Sequence, residues 1–291
     1  MMSRFNTQIP DIYAPDQQTL YLLVDGGQIK NIAQSLYQIP EVPPLEPVYI
    51  HAPHDELKDV SPYLVTATDD VKRWFWAQDN PTAGFFFSSS FSLTDIGDWF
   101  HQLIQVLSPY GSDVYLKMAH SEVAWVLLES QAWCFWHPMQ KAWLPTRLGW
   151  KVLERPEMEE ITHPFPYKLN DLQWEQFGQI MWRNLLESLD IFITEEFPHL
   201  KMQHDDFDLW LGQAANVAYQ LGFTTECDQL HYFNVIGLLG ERAVTAESPW
   251  PDIGTLIHQI SEKTPAQRIE TASQLAQHYS QTPAAQENQI L

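Results

Sequence analysis

The residues of this chain that can do chemistry are scattered, and they do not assemble into a recognised set. His51 and His54 have the H-x-x-H spacing of paired metal ligands. Pro53 between them excludes a regular helix interior, and no nearby cluster completes a site, so loop histidines are expected. Ser88, Ser89 and Ser90 follow an apolar strand, where a hydrolase serine can stand. The G-x-S-x-G elbow that would expose such a serine is missing, so turn and capping roles are expected. Asp25 closes the run LYLLVDGGQ at a strand end, a place that often carries function in α/β folds. A carboxylate there also accepts hydrogen bonds from nearby backbone N–H groups, and a turn-stabilising role is the expectation. The adjacent pairs Glu159–Glu160 and Asp205–Asp206 do not face one another on a helix and read as solvated charge. Cys134 and Cys227 are too far apart for a zinc spacing or a disulfide framework, and both are expected as buried free thiols among apolar neighbours. The glycines after Asp25 lack the spacing of a dinucleotide fingerprint or a P-loop. No catalytic residues, cofactor or metal are therefore expected.

One stretch looks built for binding. Trp133, Phe135, Trp136, Trp143 and Trp150 lie close together in sequence, interrupted by Pro138 and Pro145. Five such rings can line a groove for an amphipathic helix or a sugar, and they are the candidate partner-binding residues. Aromatic side chains also dominate cores, and for most of the five a core position is the expectation.

The elements that must position these residues fall into two halves. Residues 1–18 read as a loose leader. Leu20–Val24 is a continuously apolar strand, and Ile29, Ile32, Ala33 and Leu36 have the spacing of a helix. The prolines of 39–47 forbid helix. Strands are expected at 48–50, 63–66, 84–88 and 113–119, and helices over 69–78, 122–130 and along the stripe Ile96, Trp99, Phe100, Leu103, Ile104 and Leu107. Residues 19–152 thus form an α/β lobe with a mixed sheet flanked by helices. Residues 153–167 are charged and proline-rich, as a linker would be. From 168 to 280 the period is helical. Asn170 caps a stripe through Trp174, Phe177, Met181, Leu185, Leu189 and Phe192, a second stripe runs from Phe207 to Leu221, a third helix follows Thr224–Thr225, and a last one starts at Thr264–Pro265. Residues 281–291 read as a frayed tail. The fold class is α+β, an α/β lobe followed by an all-helical lobe.

Of 291 residues, 45% are hydrophobic and 13% aromatic, enough for sizeable cores. The net charge is −21, divided as −10 through Phe165 and −11 beyond it. Such a surface repels phosphates, which argues against nucleic acid or an anionic membrane; it would favour basic partners, with solubility alone as the expectation. The N-terminus has no apolar signal core and no stretch suits a membrane span, so a cytoplasmic protein is expected.

Taken in order, several blocks resemble the type VI secretion effector adaptors, or effector chaperones, of the Tap/TEC type. They are YLLVDGGQ at 21–28, SPYLV at 61–65, GFFFSSS at 84–90, the helix through His101, Leu103 and Leu107, and YGSDVYLKMAHSEV at 110–123. In that last block Lys117 stands where the family usually has Arg, and Ala119–His120–Ser121 departs from the usual triplet. The likeness covers about residues 19–146. It continues more loosely through YQLGFTTECD at 219–228, GLLGERA at 237–243, PWPD at 249–252 and TPAQR at 264–268. The resemblance implies a cytoplasmic, non-enzymatic adaptor whose partners are a toxic effector and the spike protein of the secretion machinery. Two rivals remain at this point. One is an acidic hydrolase whose carboxylates meet only in three dimensions. The other is a carbohydrate-binding module using the rings from Trp133 to Trp150.

Overall fold

A computed structural model describes residues 8–50, 52–157 and 165–281. The expectations for His51, for Glu159–Glu160, for residues 1–7, for 158–164 and for 282–291 lie outside the described residues. The chain divides into two compact units, with the division between Ile180 and Met181.

The first unit is built on strands β1 (Thr19–Val24), β2 (Leu45–Pro47), β3 (Tyr63–Thr66), β4 (Gly84–Ser89), β5 (Gln105–Leu107), β6 (Asp113–Tyr115), β7 (Lys141–Thr146) and β8 (Gly149–Glu154). Six of them form one sheet in the order β2-β3-β1-β4-β7-β8, and β5 pairs with β6. The mixed sheet expected from the sequence does not form: every strand pairing is antiparallel. The apolar runs of β1 and β4 reflect burial on both faces, which an antiparallel sheet achieves as well as a parallel one when helices cover both sides. In register, Leu20 faces Ser88, Leu22 faces Phe86 and Val24 faces Gly84.

Leu20, Leu22, Val24, Val65, Phe86 and Trp143 pack on one side with α1 (Ile32–Tyr37) and α2 (Asp69–Ala77), which contribute Ile32, Leu36, Val71 and Phe75. Thr68 starts α2 by accepting the Val71 N–H. On the other side Phe85 and Phe87 meet Phe100 of α3 (Leu93–His101) and Phe135 of α5 (Trp133–Trp136), with α4 (Ser121–Glu129) between the two helices in sequence. Ser92 and Asp95 close a capping box at the start of α3.

Three expectations shift. The strand placed at 48–50 forms at Leu45–Pro47, on the sheet edge where proline is tolerated. The strand placed at 113–119 stops at Tyr115. The long apolar stripe after Ser92 leaves the helix at His101, because Val106 and Leu107 find ladder partners in β6 and Leu107 takes the Tyr167 carbonyl at 2.8 Å. Those backbone partners override a helical period.

The long helix α6 (Asp171–Glu196) crosses the division. Asn170 caps it: its Oδ1 accepts the Gln173 N–H, while Gln173 Oε1 accepts the Asn170 N–H. Gln173 is buried and also donates to Ser130 Oγ at 2.8 Å. These bonds hold the first turns of α6 to the first unit. Of the stripe read from Trp174 to Phe192, only Leu189 is fully buried, and Trp174 is 36% exposed.

The second unit adds α7 (Pro198–Gln203), α8 (Phe207–Gln220), α9 (Glu226–Leu239), α10 (Pro251–His258) and α11 (Pro265–Ser280). Thr225 with Asp228 and Thr264 with Gln267 form capping boxes. Its core joins Leu189 and Ile193 to Leu211, Phe233, Ile236, Ile253, Ile269 and Ala272. Buried Arg268 lies over the Phe223 ring and donates through Nη1 to the carbonyls of Leu256, Ile257 and Gln259, which closes the end of α10.

Candidate functional site

The Asp25 motif is a hydrogen-bonded knot. Asp25 Oδ1 accepts the Gly27 N–H at 2.8 Å and Oδ2 accepts Gln28 Nε2 at 3.0 Å. Gln28 then donates to Thr82 O and accepts from Thr82 Oγ1 and Asn80 Nδ2, tying the end of β1 to the turn before β4. Gly26 is required by space, because a Cβ there would lie 2.2 Å from the Ser61 carbonyl oxygen. Asp25, Gln28, Tyr49, Tyr115 and Lys117 line a shallow cavity of about 250 Å3 beside the knot. Burial, with Asp25 nearby, pushes the Tyr49 phenol up to about 12.

The other reactive types have structural surroundings. Ser88 and Ser89 are buried in β4, and Ser89 Oγ accepts the Phe91 N–H. His54 packs its ring against His101, Tyr115 and Tyr49 at centroid distances of 5.8, 5.9 and 6.3 Å. Burial, then His101, holds it below the ordinary histidine range, against an opposing pull from Asp55. Among the described residues no group of three or more His, Cys, Asp or Glu side chains is placed to hold a metal ion. Cys134 is buried, which pushes its thiol up to about 12. Cys227 differs from its expectation: it is exposed in the first turn of α9, because the apolar face of that helix begins beyond it.

The five aromatic residues from Trp133 to Trp150 do not come together in one groove. Phe135 and Trp136 are buried under the second face of the sheet, and Trp136 donates its indole N–H to Leu128 O at 2.9 Å. Trp143 is buried in the first face, and Trp150 packs there with its ring against Trp76 at 5.5 Å. The sheet separates the two pairs because β7 and β8 carry Trp143 and Trp150 on the side away from α5. Fully covered rings such as Phe135, Trp136 and Trp143 present no platform to a guest.

Trp133, itself buried, borders an accessible aromatic surface. Its ring lies 5.0 Å from His137 and 5.7 Å from Trp99. Trp99 stacks on His137 at 3.9 Å and meets Phe165 at 5.4 Å, and Phe91 lies 5.3 Å from His137. Trp99 Nε1 donates to Cys134 O at 2.6 Å, which fixes the indole. Phe91, Asp95, Asp98, Trp99, Gln102 and His137 line a cavity of about 360 Å3. Sequence reasoning missed Phe91, Trp99 and His137 here. Trp99 fits the apolar stripe of its helix, and the polar face at Asp95, Asp98 and Gln102 is the signal that marks it as facing outward.

Within the second unit, a cavity of about 530 Å3 lies where α7 meets the end of α9, with His199, Gln203, Gly240, Arg242 and Trp250 on its walls. It gathers the GLLGERA and PWPD blocks. Gly237 lets α9 pass close to Phe197, since a Cβ there would lie 2.3 Å from the ring. His204 stacks on Trp210 at 4.2 Å and pairs with Glu241 at 3.1 Å.

Residues 20–133, from β1 to the first residue of α5, match a family described as a domain of unknown function, DUF4123. Accessory protein VasW of Vibrio cholerae is 46% identical over 275 residues, covering 94% of this chain and 93% of that protein. No solved structure matches the chain. An identity of that size, running through the sheet unit and the helical unit alike, places the chain in one family with VasW, the DUF4123-bearing effector adaptors of type VI secretion.

Proposed function

We propose that this protein binds a type VI secretion effector in the cytoplasm and helps load it onto the spike protein, making and breaking no covalent bond itself. The observation that carries this reading is the 46% identity to VasW over 94% of the chain. The likeness extends well past residue 133, so both units belong to the working molecule. A net charge of −21 suits a basic partner surface. Among the described residues no helix is long and apolar enough to cross a membrane. In this reading residues 19–152 are the adaptor lobe, 153–167 a linker and 168–280 a helical lobe, with 1–18 and 281–291 as flanks.

The test is genetic and biochemical together. Deleting the gene should abolish delivery of the effector that this protein binds, and a plasmid copy should restore delivery. Co-expression should raise the soluble yield of that effector. Undiminished delivery from the deletion strain would refute the proposal.

A further inference from the structure

We infer that the cavity between α3 and His137 is a receptor for one arginine side chain of a partner polypeptide. The inference rests on the adaptor reading for the identity of that polypeptide, and on geometry for the rest.

The walls are aromatic, and because Trp99 and His137 cover each other's inner faces, a guest meets their outer faces and edges. Trp99 and His137 are stacked, Phe91 and Phe165 flank them, and Trp133 closes the ring cluster behind. The floor is fixed, because the Trp99 indole is bonded to Cys134 O and Pro138 is buried. The open side carries two carboxylates one helical turn apart, Asp95 and Asp98, with Gln102 a further turn along the same face of α3. Asp95 Oδ2 is occupied by Ser92, and Oδ1 has no partner among the described residues. Asp98 makes no hydrogen bond or ion pair among them. Arg155 donates to the His137 carbonyl at 3.2 Å and forms no ion pair with either aspartate.

Aromatic faces beside uncompensated carboxylates attract a cation, through the ring quadrupole and the charge together. A guanidinium fits better than an ammonium. It is planar, it stacks on Trp and His faces, it forks to carboxylate oxygens, and it gives up its water more readily. Two like charges at i and i+3 repel each other until a cation sits between them. The amide of Gln102 supplies a neutral acceptor beside the carboxylates. The chain's net charge of −21 draws a basic partner towards the protein.

The test titrates the full-length protein with Nα-acetyl-arginine amide, Nα-acetyl-citrulline amide and Nα-acetyl-lysine amide. The readout is the Trp99 indole N–H resonance, assigned by its loss in Trp99→Phe. The arginine probe is expected to bind with a millimolar dissociation constant, weakened by salt, and at least tenfold more tightly than neutral citrulline. Asp98→Asn should weaken it about fivefold at unchanged melting temperature. Equal binding of arginine and citrulline, equal binding of lysine, or no effect of Asp98→Asn overturns the inference. The probes contain no effector, so such a failure leaves the adaptor reading standing. Conversely, an effector captured equally well by Asp98→Asn and the unaltered protein removes this cavity from effector recognition, even if the probe binds.

Discussion

The sheet unit and the helical unit are held together by different means. In the sheet unit, order depends on polar residues at singular positions: the Asp25–Gln28–Thr82 knot, the Gly26 passage beneath Ser61 and the Gln173 bridge to Ser130. In the helical unit, order depends on apolar periodicity and standard caps, with Arg268 and Gln229 as buried polar ties to backbone carbonyls. The DGG motif shows a strand-end carboxylate serving architecture, with each Asp25 oxygen accepting a hydrogen bond that shapes the turn.

The sharpest way to break that comparison is to add one methyl group to each unit. Gly26→Ala drives a Cβ into a backbone carbonyl at 2.2 Å, whereas Gly237→Ala drives one into the Phe197 ring at 2.3 Å. The Phe197 clash is at Cγ of a buried ring and needs a shift of that side chain or of α9, but alanine inside α9 offsets about 1 kcal/mol through helix propensity; the Ser61 clash is with backbone and has no such offset. Gly26→Ala should therefore cost about 3 kcal/mol or more, and Gly237→Ala about half of that. Thermal melts of the two variants decide the order, and a larger loss for Gly237→Ala would reverse the account.

Arg268→Met comes next. It leaves three carbonyls at the end of α10 without their donor and should cost about 2–3 kcal/mol. Denaturant unfolding should show the loss, and a neutral result would remove Arg268 from the cohesion of the helical unit. Gln173→Ala removes the bond to Ser130 and half of the Asn170 capping box. A cost of about 1–2 kcal/mol is expected, with faster amide exchange confined to the first turns of α6.

The smallest effect concerns reactivity. Burial raises the Cys134 thiol to about 12, and Cys227 is exposed. At pH 8 a thiol reagent should label one cysteine of the native protein promptly and both after denaturation. Because the folded thiol ionises later than the unfolded one, Cys134 favours the native state below its ordinary range. That contribution is lost as pH rises above about 8.5, where the unfolded chain releases the proton first.

Much of the fold is legible in the sequence, for identifiable reasons. β1, β3, β4 and the capped helices declare themselves through continuous apolar runs or through Ser, Thr and Asn at helix starts. The direction of the strands is not legible, since burial on both faces writes the same apolar run whichever way neighbours point. Nor is the end of α3, where Val106 and Leu107 obey both periods and distant residues 113–115 and 167 decide between them. The candidate aromatic site was half legible. The richness of 133–150 in large rings is plain, but the alternation of β7 and β8 and the short turn of α5 bury Trp133, Phe135, Trp136 and Trp143 and half-cover Trp150. The accessible rings come from three separate segments, Phe91, Trp99 and His137, which no local spacing unites.

The central claim is that this chain works by holding another polypeptide. The most direct measurement mixes the purified full-length protein with a type VI effector from the same organism, then with the spike protein, and follows complex formation by size-exclusion chromatography with light scattering. The account predicts a stoichiometric complex with the effector that goes on to engage the spike, with the effector chemically unchanged. Separate elution of all three proteins, or an effector cut or modified by this chain, would contradict it.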